Sequence, residues 1–160
     1  MNYYFTSDEH YGHENVIKYC NRPFATVEEM DDTIINNHNS VVNDDDIVIH
    51  AGDFTLKMDA AQYTRRLKGN HVFLKGSHDY WMKEERFLQV WEHKFEAVPY
   101  VVVCHYAMRV WPRHHHGAIM LYGHSHGVLP PLPGQWDIGV DNNKFFPISL
   151  NQVIEKINKQ

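Results

Sequence analysis

A chain of 160 residues with 43% hydrophobic residues can bury one core, so we expect a single domain over residues 1–160. Its net charge of -5 excludes a general field that attracts duplex nucleic acid, and we expect none as a partner. No apolar run approaches the ~20 residues that span a bilayer, and residues 1–5 lack the basic start of a signal peptide. We therefore expect a cytoplasmic protein without a membrane partner.

The first half of the chain alternates short apolar runs with helical patterns. Strands are predicted where aromatic and β-branched residues concentrate, at Tyr3–Ser7, Ile47–Ile49 and His71–Leu74. Helices are predicted at Glu14–Tyr19, from Thr26 onward and at Ala60–Leu67. Thr26 and Glu29 have the spacing of a capping box, which predicts where the second helix begins.

The second half continues the alternation. A helix is predicted at Tyr80–Val90, and strands are predicted at Tyr100–Cys104, Ala118–Tyr122 and Gln135–Val140. Loops are predicted at Met108–Gly117 and, because of its prolines and glycine, at Leu129–Gly134. Ser149 is expected to cap a final amphipathic helix. Strands that alternate with helices indicate an α/β fold, whose sites lie beyond the carboxyl ends of the strands.

Histidine and cysteine usage points to metal chemistry in a reducing compartment. The chain has 13 histidines, which in a mildly acidic protein indicate metal rather than polyanion binding. Cys20 and Cys104 lack the CxxC spacing of a redox or zinc motif, and we expect them to be reduced thiols.

Acidic and histidine residues follow the predicted strands in five clusters. In chain order these are Asp8-Glu9-His10, Gly52-Asp53, Gly76-Ser77-His78-Asp79, His105 and Gly123-His124-Ser125-His126. Imidazole and carboxylate groups suit Zn, Mn, Fe or Ni, and a carboxylate between two sites can bridge two ions. The residues alone therefore predict metal-assisted hydrolysis.

The five clusters together resemble the calcineurin-like metallophosphoesterases, in the order of that family and over nearly the whole chain. The ending, Gly139-Val140-Asp141 followed by Phe146–Leu150, resembles the small single-domain bacterial and phage members. The resemblance implies two mixed β-sheets in a sandwich flanked by helices, which is a four-layer αββα fold. It also implies two divalent metal ions (Mn, Zn, Fe or Ni) in a cleft at the strand ends.

The resemblance implies a role for each ligand. The first ion would be held by Asp8, His10 and His126. The second ion would be held by His105 and His124, with Asp53 bridging the two. The ions would lower the pKa of water so that a bridging hydroxide attacks phosphorus.

The same resemblance makes His78 the catalytic histidine, which would donate a proton to the leaving group. Asp79 would orient His78 through a hydrogen bond. Family members usually carry Asn at the position of Ser77, where the amide oxygen reaches the second ion. A serine hydroxyl is shorter and a poorer donor, so we expect a weaker second site.

Several residues remain open between a functional and a structural role. Arg22, Arg109 and Arg113 could contact the substrate phosphate or lie in solvent. His13 could border the cleft, whereas His50 is expected to pack in the core and Glu9 to point away from the metals. The run His114–His116 is expected at a rim or in solvent. Tyr80, Trp81 and Trp111 could stack on a base, but core or rim packing is favoured.

The sequence thus predicts a metal-dependent phosphoesterase, with a phosphodiester of nucleotide type favoured over a phosphomonoester. The expected partner is this small phosphoester substrate, and the sequence identifies no protein partner. An alternative is a catalytically weakened binding scaffold of the same fold, which only Ser77 favours. A metallo-β-lactamase-type hydrolase is disfavoured because its His-x-His-x-Asp-His signature is absent.

Overall fold

The structure is a computed structural model that describes residues 1–83, 88–98 and 100–160. Within these residues the strands are β1 (Tyr3–Thr6), β2 (Ile47–His50), β3 (Asn70–Phe73), β4 (Val90–His93), β5 (Val101–Cys104), β6 (Ile119–Tyr122), β7 (Gln135–Asp137) and β8 (Ile148–Ser149). The α-helices are α1 (Glu14–Tyr19), α2 (Val27–Val41), α3 (Ala61–Thr64) and α4 (Leu150–Ile157). Two 3-10 turns lie at His114–His116 and Val140–Asn142.

The beginnings of two helices follow from their caps. The Thr26 hydroxyl accepts a hydrogen bond from the Glu29 backbone N–H at 3.2 Å, which satisfies an open donor of α2. Ser149 and Gln152 form a reciprocal capping box at α4. Both predicted helix starts are confirmed.

The strands form two mixed sheets. The first sheet has the order β3-β2-β1-β8, with β1, β2 and β3 parallel and β8 antiparallel to β1. The second has the order β4-β5-β6-β7, with β5, β6 and β7 parallel and β4 antiparallel to β5. The predicted α/β class with two mixed sheets is confirmed.

Side chains from both sheets share one core. Phe5 and Ile49 of the first sheet belong to the same buried cluster as Val101, Val103 and Leu121 of the second. Because side chains alternate along a strand, β5 and β6 also bury an opposite face. Residues 106–118 supply the partners of that opposite face, whereas α1, α2 and α3 pack with the first sheet.

The structure differs from the prediction around β4 and at the end of β7. Tyr80 and Trp81 form a turn where a helix was predicted, residues 84–87 of that helix lie outside the described residues, and Val90 already begins β4. The predicted strand Gln135–Val140 ends at Asp137, because a 3-10 turn starts at Val140. The short strand β8 was not predicted.

Two further observations concern the whole chain. None of the described helices is both long and apolar enough to cross a membrane. Cys20 is half-buried and Cys104 is buried, and the two are not joined by a disulfide.

Candidate metal centre

The carboxyl ends of both sheets meet at one edge of the molecule. Strands β1 and β2 run in parallel register, so Asp8 and Asp53 leave neighbouring strand ends, where the Asp8 N–H donates to the Gly52 carbonyl at 3.0 Å. Strands β5 and β6 are also parallel, so His105 and the turn at residues 123–126 leave neighbouring strand ends. There the Gly123 N–H donates to the His105 carbonyl at 3.1 Å. Parallel pairing therefore brings residues from four strand ends together.

Besides a group formed by Cys20, His126 and Asp141, two groups of three side chains at the strand ends could each hold a metal ion. One group is Asp8, His10 and His126, and the other is Asp53, His105 and His124. In each group the ligand atoms lie within 4.8 Å of one another. These are the two sets that the family resemblance implied, and we call them the first and second triads.

The Asp53 carboxylate lies between the triads. Its Oδ2 is 3.6 Å from His10 Nε2 of the first triad and 3.4 Å from His105 Nε2 of the second. Both of these nitrogens are buried and have no hydrogen-bond partner in the described part of the chain. An unpartnered buried polar atom is costly, so these nitrogens fit a centre completed by cations.

The other ring nitrogen of three ligands is fixed by a neighbour. His105 Nδ1 lies 2.9 Å from the Ala51 carbonyl, which accepts its hydrogen, and His126 Nδ1 lies 2.8 Å from Asp141 Oδ2. His10 Nδ1 is 3.4 Å from His13 Nδ1. Such contacts orient an imidazole and leave its Nε2 free for a metal ion.

Burial and neighbouring charges shift the pKa values of the ligands. Burial alone would raise the pKa of Asp53, but the interaction with His105, whose Nε2 lies 3.4 Å from Oδ2, holds it below its usual value. Burial lowers the pKa of His10 to about 3, so that the ring is neutral. Burial raises the pKa of Asp8 to about 7, against the opposing charges of His105 and His126. A bound cation would favour the ionised form of Asp8, because metal ligands must lose their protons.

The ligands occupy strained backbone positions. Five of the six have a positive φ: Asp8 (60°), His10 (54°), Asp53 (56°), His124 (66°) and His126 (47°). Residues other than glycine seldom adopt this conformation, and strain of this kind collects at functional sites. The concentration of strain at the triads therefore supports a functional role for this edge.

Two glycines allow close approach behind the carboxylates. A Cβ at Gly76 would collide with the backbone and carboxylate of Asp53. A Cβ at Gly123 would collide with Ser7 Oγ and Asp8 Oδ2. The glycines in the Gly-Ser-His-Asp and Gly-His-Ser-His clusters are thus required for space.

His78 and Ser77 both lie beside Asp53. The His78 N–H donates to Asp53 Oδ1 at 2.8 Å, and the His78 ring centroid is 5.4 Å from that of His10. The Ser77 hydroxyl donates to the Asp53 carboxylate, 3.1 Å from Oδ2. The side chain at 77 can therefore influence the second triad through Asp53.

The predicted role of Asp79 needs correction. Its carboxylate is buried and accepts hydrogen bonds from the N–H groups of Asp53, Phe54, Thr55 and Gly76 and from the Trp81 indole. With both oxygens occupied in this way, Asp79 fixes the two ligand-bearing turns rather than the ring of His78.

The prediction that Arg22 contacts a substrate is also corrected. Arg22 is buried, forms an ion pair with Asp141 at 2.8 Å, and donates to the carbonyl oxygens of Asp8 and Glu9. Since Asp141 in turn contacts His126, the guanidinium supports the first triad from behind. No role had been predicted for Asp141, although its position in the family-like ending was noted.

The two other arginines lie away from the triads. Arg113 stacks on Tyr100 at 4.6 Å, beyond the amino end of β5 and thus opposite His105, which corrects its predicted substrate role. Arg109 is exposed and does not line the cleft among the described residues. The exposed run His114–His116 contributes to no candidate metal group in the described chain.

The remaining predictions are resolved by contacts. Glu9 belongs to neither triad and is instead paired with His50 at 2.7 Å, so His50 forms a buried polar contact rather than simple core packing. Trp81 packs against Phe54 and Phe73, and Trp111 is buried, as the core interpretation predicted. Tyr80 is exposed and does not line the described cleft.

The triads open into a cleft of about 830 Å³. Its polar lining includes His13, Asn21, His78 and Ser125 besides ligands from both triads, and its apolar lining comprises Val16, Tyr19, Val128 and Leu129. Cys20 also lines it and lies near His126 and Asp141. Burial raises the pKa of the Cys20 thiol to about 11.

Comparison with known proteins finds a sequence relative and a similar fold, each over 98% of the chain. No model of a known protein family matches the chain. The chain is similar in fold to the protein of unknown function AQ665 from Aquifex aeolicus, in its crystal structure, with a TM-score of 0.70, 22% identity and coverage of 98% of this chain and 99% of that one. It is 34% identical over 167 aligned positions to the uncharacterized protein MJ1445 of Methanocaldococcus jannaschii, which covers 98% of this chain and 91% of that protein. The chain therefore belongs to the same protein family as MJ1445.

Proposed function

We propose that this protein is a metal-dependent phosphoesterase of the calcineurin-like type, with a four-layer metallophosphoesterase sandwich and a preference for phosphodiesters of nucleotide type. The observation that carries the proposal is the pair of triads that meet at Asp53, with two buried and unpartnered imidazole nitrogens. Two divalent ions bound there would supply Lewis-acid activation of the phosphoester and of water.

The residues around the triads have separate tasks in this proposal. His78 lies in the cleft beside Asp53, where its imidazole can give a proton to the departing oxygen. Asp53 would hold both ions, and the Ser77 hydroxyl and the His78 N–H would fix the direction of its carboxylate. Arg22 and Asp141 would keep His126 oriented.

The test is hydrolysis by metal-stripped protein that has been reloaded with Mn, Zn, Fe or Ni. The substrates are bis(4-nitrophenyl) phosphate and the monoester 4-nitrophenyl phosphate, and the bound metal is counted by elemental analysis. We expect two ions per chain and faster turnover of the diester. His78→Ala should lower kcat by about 10²- to 10⁴-fold without loss of metal. His114→Ala is the matched control, because His114 is exposed and lies outside the cleft.

The outcomes separate the alternatives. Faster turnover of the monoester would make the protein a phosphomonoesterase. Two bound ions without turnover in any metal would favour a binding scaffold of the same fold. Absence of metal binding would overturn the proposal.

A further inference from the structure

Four apolar residues line the cleft, namely Val16, Tyr19, Val128 and Leu129, and we call them the apolar wall. We propose that this wall binds an uncharged aromatic or apolar ester group of a phosphodiester that carries a single negative charge. The inference rests on the proposed function, because it names the class of substrate for the same cleft.

The wall is built from two segments next to the first triad. Val16 and Tyr19 lie three residues apart on α1, where Val16 is buried and only Tyr19 is exposed. Val128 and Leu129 follow the ligand His126 after one intervening glycine, Gly127. The wall is therefore attached to the same turns that place the ligands.

Much of the wall faces water in the free protein. Tyr19 is 77% exposed, Val128 is 84% exposed and Leu129 is 43% exposed. Apolar side chains gathered in a cleft beside polar groups are typical of ligand sites, where they bury the organic part of the ligand. Burying one aromatic ring here would remove apolar area from water on both partners.

Ring contacts connect the wall with the catalytic groups. The Tyr19 ring packs edge-on against His13, with centroids 6.4 Å apart. The His13 ring is in turn 6.3 Å from that of His78. Only the His13 ring therefore lies between His78 and Tyr19, so an ester group on a phosphorus atom near His78 can reach Tyr19 by extending past that ring.

The charge of the cleft defines the rest of the substrate. Among the described residues, no lysine or arginine lines the cleft. Arg22 is committed to Asp141, and Arg113 stacks on Tyr100 at the opposite end of β5. Cations held by the triads could neutralise one phosphate, but a second phosphate of a polyphosphate chain would meet no lysine or arginine among the described lining residues, since Lys57, beside Gly12, lies outside that lining. The cleft therefore favours a monoanionic diester over a nucleoside polyphosphate.

The experiment compares the binding of two diesters that differ only in their ester groups. The full chain, loaded with Mn, is titrated with diphenyl phosphate and with dimethyl phosphate by calorimetry. We expect diphenyl phosphate to bind at least about ten-fold more tightly, from burial of one ring. Tyr19→Ala and Val128→Ser should each reduce this ratio, whereas Tyr19→Phe should keep it.

A matched control is Leu132→Ser, which changes an exposed apolar residue of the same loop outside the cleft lining. Since Tyr19 and Val128 are exposed, their replacement should leave the circular dichroism spectrum and Tm unchanged. Equal affinity for the two diesters, or a ratio that Tyr19→Ala leaves intact, would overturn the inference. Tighter binding of ADP than of diphenyl phosphate would also overturn it.

Failure of the inference differs from failure of the proposed function. If the protein hydrolyses bis(4-nitrophenyl) phosphate but binds diphenyl and dimethyl phosphate equally well, the proposed function stands and the apolar wall does not select the substrate. If the protein prefers diphenyl phosphate, loses that preference in Tyr19→Ala and hydrolyses neither ester, the wall is a ligand site and the proposed enzymatic function is wrong.

Discussion

The carboxylate of Asp53 receives contacts from two sides. Ser77 and the His78 N–H donate to it from one turn, and the unpartnered nitrogens of His10 and His105 face it from two others. A change of direction at Asp53 would therefore alter both triads at once. The side chain at position 77 is the part of this arrangement that departs from the resembled family.

Replacement of Ser77 by asparagine should strengthen the second triad. An amide oxygen extends farther than a hydroxyl and is a better neutral ligand, so we expect Ser77→Asn to tighten binding of the weaker ion by about ten-fold. Competition with a chromogenic chelator measures this affinity. Ser125→Asn, also in the cleft, is the control for a general effect of the amide. Equal metal affinity in Ser77→Asn and the native chain would contradict the prediction.

Asp79 provides a second test at the residue scale. The Asp79 carboxylate accepts hydrogen bonds from four backbone N–H groups. In Asp79→Asn one of its two oxygens becomes an NH2 group, so at least one buried N–H would face another donor. We expect a loss of unfolding free energy of about 2–3 kcal/mol, measured by urea denaturation. If Asp79→Asn leaves the stability unchanged but lowers kcat strongly, the role of Asp79 is to orient His78, as the sequence predicted.

The site residues that could be predicted from the sequence are the ones that stand together in short clusters of aspartate and histidine. Asp8 and His10 stand together after a strand, and two parallel strand ends suffice to bring them near Asp53. The roles of Arg22 and Asp141 depend on a contact across 119 positions of the chain, which no local pattern encodes. The sequence around an arginine in a turn does not show whether its side chain is exposed or forms a buried ion pair.

At the scale of elements, the turn after β6 has to fit under β1. Gly123 allows this, because a Cβ there would occupy the space of Ser7 Oγ and Asp8 Oδ2. Gly123 does not have a positive φ, so the requirement is for space and not for backbone freedom.

Gly123→Ala should therefore displace Asp8 and weaken the first triad. We expect metal affinity to fall by at least about ten-fold, measured by chelator competition. Gly134→Ala is the matched control: Gly134 has a φ of 80°, but a Cβ there would meet only ordinary contacts. The control should lose about 1 kcal/mol of stability and keep its metal affinity. Equal loss of metal affinity in both variants would contradict the steric explanation.

Elements were predictable where a cap or a long periodic pattern marks them. Thr26 and Ser149 carry that information for α2 and α4. Strand β4 has only four residues with alternate exposure, and β8 has two, so neither has enough apolar residues to stand out. Both are antiparallel to their neighbour and become strands through pairing with β5 and β1.

At the scale of the whole molecule, three neutral histidines are enclosed near α2 and the first sheet. His50 Nε2 is 3.0 Å from His71 Nδ1, and His38 donates to the Lys68 carbonyl at 2.8 Å. Burial lowers the pKa of His38 and His71 to about 4 and that of His50 to about 3. Burial also raises the pKa of Glu9, the partner of His50, to about 8.

These pKa values predict loss of stability in mild acid. Below pH 6.5 the unfolded chain takes up protons on His38 and His71 that the folded chain refuses until about pH 4. The stabilisation is therefore complete above pH 6.5 and declines as the pH falls, by up to about 1.4 kcal/mol per pH unit for each histidine. His50 adds little to this slope, because folded Glu9 keeps a proton that offsets the one His50 lacks.

His38→Gln isolates one of these contributions, since glutamine can still donate to the Lys68 carbonyl but does not titrate. Unfolding free energies of metal-free protein at pH 7, 6 and 5 should show a slope smaller than in the native chain by up to about 1.4 kcal/mol per pH unit, with the larger difference between pH 6 and 5. His115→Gln, at an exposed histidine, should leave the slope unchanged. Because the ligand histidines are the same in all three proteins, their titration cancels in the comparison. Parallel profiles for the native chain and His38→Gln would mean that folding does not lower the pKa of His38.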